Sequence, residues 1–262
     1  MSRQKLDGPT RLGRVLAIVA ALVTIIPIPV AILVALSANW RHGPAGGITT
    51  KWFAQSWERL QANLALSVKL ALMSVVVDTL VALPAAYLIA RHRFPGRHVL
   101  RSLTNAPLAI PGIAVGIGLV LAFPWLKPDG WLMIAGHVLY TLPFLLGALI
   151  PAMSHRDLVA QEHVAASLGA GPVLRFMTVT LPAVRRALIS GLLMVLALSL
   201  GEFNATSFLY TPMQQPLPIV LFDSFITGRL ETAAASTVIF LGLVIPAVLA
   251  LERLGGARIT GA

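Results

Sequence analysis

Four ionisable side chains interrupt long apolar stretches of this sequence: Lys69, Asp78, His137 and Glu202. A charged group in the middle of a bilayer is costly, so such residues usually line a polar path or pair with other buried polar groups. Asn204 adds an amide two residues after Glu202. We take Lys69, Asp78, Glu202 and Asn204 as candidates for lining a path through a membrane.

Each candidate also has a structural interpretation, which the sequence leaves open. The Lys69 ammonium lies about two turns inside its stretch and can extend to the interface. Asp78 lies nearer the midplane, where a hydrogen bond to a neighbouring helix and a role in the path fit equally well. For Glu202 we favour the path or an outer gate. For the isolated His137 we favour a packed histidine.

The sequence contains no recognisable catalytic set. Acid–base pairs, nucleophilic triads and His/Asp/Glu clusters with metal-ligand spacing are missing, and so is a glycine loop followed by Lys-Ser or Lys-Thr that would hold nucleotide phosphates. Cysteine is absent, which excludes disulfides and cysteine-ligated metals. We expect no catalytic residue, no metal and no cofactor in this chain.

The elements that carry these residues are long apolar runs. Of the 262 residues, 57% are hydrophobic and 11% are charged, whereas soluble domains carry about 25% charged residues. A membrane-spanning helix needs roughly 20 apolar residues, and its backbone must satisfy its own hydrogen bonds in lipid. We therefore predict an all-α membrane protein with about six transmembrane helices. They cover residues 15–36, 63–90, 102–126, 131–153, from about 183 to beyond 202, and 232–251.

The prolines and the segments that join the spans add detail to this prediction. Pro107, Pro111 and Pro124 should bend the third span. Residues 37–61 and about 206–230 form the connections on one side of the membrane. The second of these contains three prolines and cannot be one straight helix.

The cations are distributed unequally between the two sides. Fourteen Lys and Arg residues fall in the predicted tails and in the second-to-third and fourth-to-fifth connections, against five on the other side. Cytoplasmic loops carry such an excess, which predicts that both termini are cytoplasmic. The basic clusters are short and lie beside the spans, so the net charge of +10 does not indicate nucleic-acid binding.

The loop at 153–182 lies on the predicted cytoplasmic side. We expect Asp157 to cap a helix that carries Leu158, Ala165 and Leu168. Gly169-Ala170-Gly171 should break that helix, and Pro172 suits the first turn of a second one, which we expect Leu181-Pro182 to end at the membrane. Two short amphipathic helices around a glycine turn are typical of a docking element.

This loop resembles the EAA loop of permease subunits from bacterial binding-protein-dependent ABC importers. Counting from Gly169, nine residues precede Val179, and Leu181 and Pro182 follow at the family spacing. The start departs from the family pattern, since His163 occupies the usual glutamate position and Glu162 comes one residue early. The residues that carry the resemblance are Glu162, His163, Ala165, Ala166, Gly169, Ala170, Gly171, Leu181 and Pro182.

The resemblance extends over about residues 60–250. Residues 63–96 resemble the second and third segments of these permeases. The run from Gly201 to Thr206, followed by Leu217-Pro218, is similar to members that handle iron, thiamine, phosphonates or oxyanions.

The resemblance implies a type I importer permease with one transmembrane domain at 15–253, between cytoplasmic tails at 1–14 and 254–262. Such a subunit lies in the bacterial inner membrane among lipids. Its implied partners are two ATPase subunits, an identical or paralogous second permease, and a periplasmic or lipid-anchored binding protein. ATP and Mg²⁺ would bind to the ATPase subunits, so this chain would not be an enzyme.

Two other classes stay open on the residues alone. A secondary transporter or channel would work without an ATPase and usually shows inverted repeats, and a membrane enzyme would need a catalytic set. The transported substrate is not fixed by the sequence. Within the resemblance, Leu168-Gly169-Ala170 stands where sugar permeases carry Asp-Gly-Ala, which favours a small ion or oxyanion over an oligosaccharide.

Overall fold

The computed structural model describes residues 11–255, and the outer parts of both predicted tails, 1–10 and 256–262, lie outside that range. The predicted all-α class is confirmed. Among the described residues there is no strand, and the β-type pairing consists of two isolated bridges, Ser37 with Ile48 and Thr211 with Gln214.

The helices, in chain order, are α1 (Arg11–Ile25), α2 (Pro27–Leu36), α3 (Lys51–Arg91), α4 (Arg97–Leu103), α5 (Ala106–Ala109), α6 (Gly112–Ala122), α7 (Trp131–Met153), α8 (Arg156–Ser167), α9 (Pro172–Arg175), α10 (Leu181–Leu200), α11 (Thr206–Leu209), α12 (Leu217–Thr227) and α13 (Leu230–Gly255). Short 3₁₀ segments cover Trp40–Gly46 and Pro124–Leu126, and a π-helical turn covers Phe176–Thr180.

Within the described part of the chain, five helical stretches are long and apolar enough to cross a membrane: Leu12–Leu36, Lys51–Arg91, Trp131–Met153, Pro172–Leu200 and Leu230–Ala250. The fourth predicted span agrees with α7 at both ends. The first predicted span continues through Pro27, which stands at the start of α2, where its missing N–H is tolerated.

The helix that carries the second predicted span begins earlier than residue 63. The sequence assigns residues 51–61 to a connection, but they form the first turns of α3, which has 41 residues. Hydropathy marks only the apolar part of a helix. Polar residues with good helix propensity, such as Gln55, Glu58 and Arg59, extend α3 beyond it.

The third predicted span is not one helix. Residues 102–126 are divided among α4, α5, α6 and the 3₁₀ turn Pro124–Leu126, and α6 has only 11 residues. Pro107, Pro111 and Pro124 each stand at or next to the start of a new segment. Proline lacks the N–H that continues a helix, so each of them divides the span rather than merely bending it.

The fifth span starts earlier and ends earlier than predicted. It does not run past Glu202, because α10 ends at Leu200. Leu181-Pro182 also does not end the preceding helix. Proline is tolerated in the first turn of α10, and the π-helical turn joins α9 to α10, so that Pro172–Leu200 is one helical stretch.

The chain forms two compact units, and each has its own apolar packing. The described part of one unit comprises residues 11–59 and 221–241. Its buried cluster is formed by Val34, Ala35, Trp52, Ala234 and Ala235. The Trp52 indole donates a hydrogen bond to the Ser37 carbonyl at 2.8 Å, which satisfies the polar atom of that buried ring.

The described part of the other unit comprises residues 60–220 and 242–255 and contains the candidate site. Here α7 packs most extensively against α10. The larger apolar cluster joins the C-terminal half of α3 to α7, α8 and α10, and includes Ala86, Ile89, Leu149, Met153 and Val184. A second cluster joins Leu70, Leu132, Met133, Ala205 and Leu209.

Candidate functional site

A chain of buried polar side chains crosses the interior of the larger unit. Asp78 on α3 is fully buried, and the Thr141 hydroxyl on α7 lies within hydrogen-bond distance of its Oδ2, at 2.6 Å. The same hydroxyl lies 2.8 Å from the carbonyl of His137, one turn earlier on α7. The second carboxyl oxygen, Oδ1, is buried and has no hydrogen-bond partner among the described residues.

His137 continues this network towards α10 and α11. Its Nδ1 lies 2.7 Å from the Ser199 hydroxyl and its Nε2 lies 3.0 Å from the Thr206 hydroxyl. Both ring nitrogens are thus satisfied in a buried position. The prediction that His137 is a packed histidine is confirmed, and its hydrogen bonds are an addition by the structure.

Glu202 occupies the short connection between α10 and α11. Its Oε1 accepts from the backbone N–H of Ala205 at 2.9 Å, and its Oε2 accepts from the N–H of Thr206 at 2.9 Å and from the Thr206 hydroxyl. These bonds satisfy N–H groups that the short helix α11 leaves free. The carboxylate therefore has a structural role in shaping this connection.

Glu202 and Asn204 also line a cavity of about 210 Å³. Its apolar wall comes from the α5 region and α7, and includes Pro107, Leu108, Tyr140 and Phe144. The Asn204 side chain is exposed, whereas Glu202 is buried behind its hydrogen bonds. A mostly apolar cavity with a few converging polar groups is the usual form of a small-solute site.

The loop at 153–182 forms the two predicted helices, α8 and α9, around a glycine turn. Gly169 has φ +86°, a left-handed conformation that glycine adopts without strain. The Gly169 and Ala170 N–H groups bond back to the carbonyls of Ala166 and Ala165 at 3.0 Å each, which closes the end of α8. Pro172 stands in the first turn of α9, as predicted.

The expected cap at the start of this loop is wrong. The N-cap of α8 is His155, without a side-chain capping bond, and Asp157 lies inside the first turn. There its charge still interacts favourably with the helix dipole.

The comparisons with known proteins agree with this geometry. Residues 61–257 match the model of the family described as binding-protein-dependent transport system inner membrane component. The chain belongs to this family. It is the membrane-spanning permease subunit of an ABC importer and forms part of its translocation pathway.

Individual relatives support the same assignment. The permease is 27% identical to a putative 2-aminoethylphosphonate transport system permease protein of Salmonella typhimurium, over 94% of this chain and 95% of the relative. It is 29% identical to a sulfate transport system permease protein of Synechocystis, over 74% and 76% of the two chains. The corresponding protein of Escherichia coli is 30% identical over 67% and 69%.

The family assignment establishes the general setting of the permease. It is a multi-pass protein of the inner membrane, a transport subunit rather than an enzyme in its own right, and it works with an ATPase and a substrate-binding protein.

The structure brings some of the predicted pathway residues together and leaves one apart. Glu202 and Asn204 share the cavity. Asp78 belongs to the polar network that reaches Glu202 through Thr141, His137 and Thr206. Lys69 lies on an exposed side of α3.

In the loop of the permease, the two neighbouring residues at the start of the motif point in opposite directions. His163 is exposed, whereas Glu162 is buried beside Leu158, one turn earlier on the same face of α8. Glu162 forms an ion pair with Arg91 at 2.6 Å. Burial raises the pKa of Glu162, but hydrogen bonds from Arg91 and Thr180 and the charges of Arg91 and Arg175 outweigh burial. The pKa of Glu162 therefore lies below its ordinary value, and the carboxylate stays ionised at neutral pH.

Sequence reasoning missed Arg91 and Thr180 as partners of Glu162. One signal was present in the sequence. Glu162 lies four residues after Leu158, on the face of α8 that the apolar pattern turns inward. A carboxylate on that face needs a partner, and Arg91 at the end of a long apolar run is a suitable one.

Proposed function

We propose that this permease moves a small oxyanion or phosphonate through the cavity beside Glu202 and Asn204. The names of its relatives support this substrate class, since they describe 2-aminoethylphosphonate and sulfate transport. The cavity volume of about 210 Å³ also suits a small solute better than an oligosaccharide.

Asn204 is the residue of this cavity best suited to an anion. Its exposed amide can donate hydrogen bonds to an anionic oxygen. The Glu202 carboxylate, by contrast, is already occupied by two backbone N–H groups and a hydroxyl, which hold the connection in place and offset its negative charge. Lys69 stays a candidate for the path, because its ammonium group lies on an exposed side of α3.

The loop at 153–182 is the proposed contact with the ATPase subunits. The observation that carries this proposal is a group of large apolar side chains exposed around the Gly169 turn. Leu168 is 83% exposed and Val173 is 77% exposed, and Val164 and Met177 are exposed as well. Apolar side chains grouped on a loop are typical of a surface that a partner covers.

The proposal extends to the other subunits of the transporter. Two ATPase subunits, which hold ATP and Mg²⁺, engage two permeases, this chain and an identical or paralogous one. A periplasmic or lipid-anchored binding protein delivers the solute from outside. ATP binding closes the ATPase subunits, and their movement switches the permeases between inward- and outward-facing states.

Exchanging Asn204 for Asp tests the substrate class. The whole complex, reconstituted in liposomes with its binding protein, should take up a phosphonate or sulfate in an ATP-dependent manner. Asn204→Asp places a negative charge in the cavity and should lower anion uptake by about tenfold, equivalent to about 1.4 kcal/mol of electrostatic repulsion. The matched control is Asn105→Asp, the same amide-to-acid change at an exposed side chain that does not line the cavity.

Two results would count against this proposal. Anion uptake that Asn204→Asp and Asn105→Asp slow equally would show that the cavity charge has no special effect. Uphill uptake by the isolated chain under an ion gradient, without an ATPase, would support a secondary transporter instead.

A further inference from the structure

The ion pair between Arg91 and Glu162 lies where four helical segments meet. Arg91 is the last residue of α3, and its Nε and Nη2 donate to the two carboxylate oxygens of Glu162 at 2.6 Å and 2.7 Å. The two side chains are only 11% and 6% exposed. Such a two-point contact fixes the direction of both side chains as well as their distance.

Arg91 and Glu162 each form a hydrogen bond to a further helical segment. The Nη1 of Arg91 donates to the carbonyl of Met153, the last residue of α7. Glu162 accepts a hydrogen bond of 2.5 Å from the hydroxyl of Thr180, directly before α10. The pair therefore ties α8 of the loop to the adjoining ends of α3, α7 and α10.

Aromatic side chains cover this contact from one side. The guanidinium carbon of Arg91 lies 5.6 Å from the centre of the Tyr87 ring, and Tyr87 packs edge-to-face against Phe176 at 5.3 Å. An apolar cover excludes water and strengthens the ionic hydrogen bonds beneath it.

We propose that Arg91 and Glu162 form the positioning pair through which movement of the loop becomes movement of the membrane helices. The proposal rests on the proposed role of the loop as the ATPase contact. It assigns Glu162 to the interior of the permease rather than to the ATPase interface. At this point of the loop the exposed residue available to the ATPase is His163.

A merely structural role predicts a different result from a positioning role. If the pair only stabilised the fold, variants would reduce the amount of assembled complex, and the complexes that formed would work normally. If the pair transmits movement, assembled variants hydrolyse ATP but transport fewer solute molecules for each ATP. The ratio of solute transported to ATP hydrolysed in assembled complex is therefore the deciding quantity.

The test uses Arg91→Lys, which keeps the cation but loses the two-point contact, together with Glu162→Gln, which keeps side-chain shape and a hydrogen-bond acceptor. We expect either variant to lower the transport-to-hydrolysis ratio by about two- to thirtyfold, the range that coupling between packed elements gives. The double variant should lower it no further, because both changes break the same contact. Arg93→Lys is the matched control, since Arg93 is an exposed cation two residues beyond α3.

A distance measurement provides a second readout. The chain has no cysteine, so spin labels can be placed at Ser167→Cys on the loop and Leu80→Cys on an exposed face of α3. In the parent complex, trapping the ATPase subunits in their closed state should leave this distance unchanged, because loop and helix move together. In Arg91→Lys the distance should change or its distribution should broaden.

The outcomes separate the two proposals. Parent-like ratios and an unchanged label distance in the assembled Arg91→Lys and Glu162→Gln complexes would overturn the positioning role and leave the loop's contact with the ATPase intact. A parent chain that does not assemble with the ATPase through this loop would instead overturn the proposed function, and the positioning role with it.

Discussion

At the scale of single residues, the contact between Asp78 and Thr141 raises a question of proton count. Thr141 has one hydroxyl proton but two acceptors in reach, Asp78 Oδ2 at 2.6 Å and the His137 carbonyl at 2.8 Å. A neutral acid at Asp78 would donate to Thr141, which would then donate to His137. An ionised Asp78 would leave buried Oδ1 as an unpaired charged oxygen, which is costly inside a membrane protein.

We therefore expect Asp78→Asn to preserve function. The amide has nearly the same shape, and its N–H can donate to Thr141 as a neutral acid would. The loss of unfolding free energy should stay below about 1 kcal/mol for Asp78→Asn and reach about 1–3 kcal/mol for Asp78→Ala, which removes the hydrogen bond. Thermal unfolding in detergent and uptake by the reconstituted complex measure both. Equal damage from Asn and Ala would show that the charge of Asp78 is needed.

The sequence revealed only one of the two residues in each of these buried hydrogen bonds. Asp78 and Glu202 are conspicuous because a charge breaks an apolar run. Their partners Thr141 and Thr206 are not, since hydroxyl residues are common in membrane helices and often bond to their own backbone. The position of Thr141 on α7 beside Asp78 selects the first, and the short connection between α10 and α11 selects the second.

At the scale of elements, the two glycines of the loop have different roles. Gly169 has φ +86°, whereas Gly171 has φ −67° and ψ 165°, an extended conformation open to any residue. Nothing lies within 4 Å of a Cβ added to either. Substitution at Gly169 therefore strains the backbone alone, and substitution at Gly171 should be tolerated.

Gly169→Val should consequently impair coupling, while Gly171→Val serves as its control. A left-handed conformation costs a residue with a side chain about 1–2 kcal/mol, and more when it is β-branched. Membrane insertion should be unaffected, because the apolar spans supply its energy. We expect weaker ATPase assembly or less transport for each ATP hydrolysed in Gly169→Val only. Parent-like assembly, hydrolysis and transport by Gly169→Val would contradict a coupling role for this turn.

Element ends were harder to predict than element types. The apolar pattern located α7 at both ends, since its boundaries coincide with changes in hydropathy. It could not locate the start of α3 in a polar segment or the end of α10 before Glu202. Those ends depend on helix propensity and on local hydrogen bonds, which hydropathy does not measure.

At the scale of the whole molecule, the unequal distribution of cations predicts the orientation. Fourteen against five Lys and Arg residues predict that both termini and the loop at 153–182 lie in the cytoplasm. The same orientation is required if the exposed apolar side chains around Gly169 are to meet a cytoplasmic ATPase.

Cysteine labelling checks this orientation directly, because the parent has no cysteine. A membrane-impermeant thiol reagent added to sealed cells should fail to label Ser102→Cys and Ser167→Cys, and should label Thr50→Cys. All three side chains are exposed on the protein, so a difference in labelling reflects the side of the membrane. After the cells are opened, all three should react. Labelling of Ser167→Cys in sealed cells would refute the topology.

The π-helical turn at Phe176–Thr180 links the number of residues in the loop to the rotation of α10 about its axis. The Leu181 N–H bonds to the Phe176 carbonyl, five residues back, so this turn holds one residue more than an α-turn. Each residue of an α-helix rotates its face by about 100°. Loss of one residue here would therefore turn a different face of α10 towards α7. The number of residues between Gly169 and Val179, nine, thus determines how α10, the helix that carries Ser199, is rotated about its own axis.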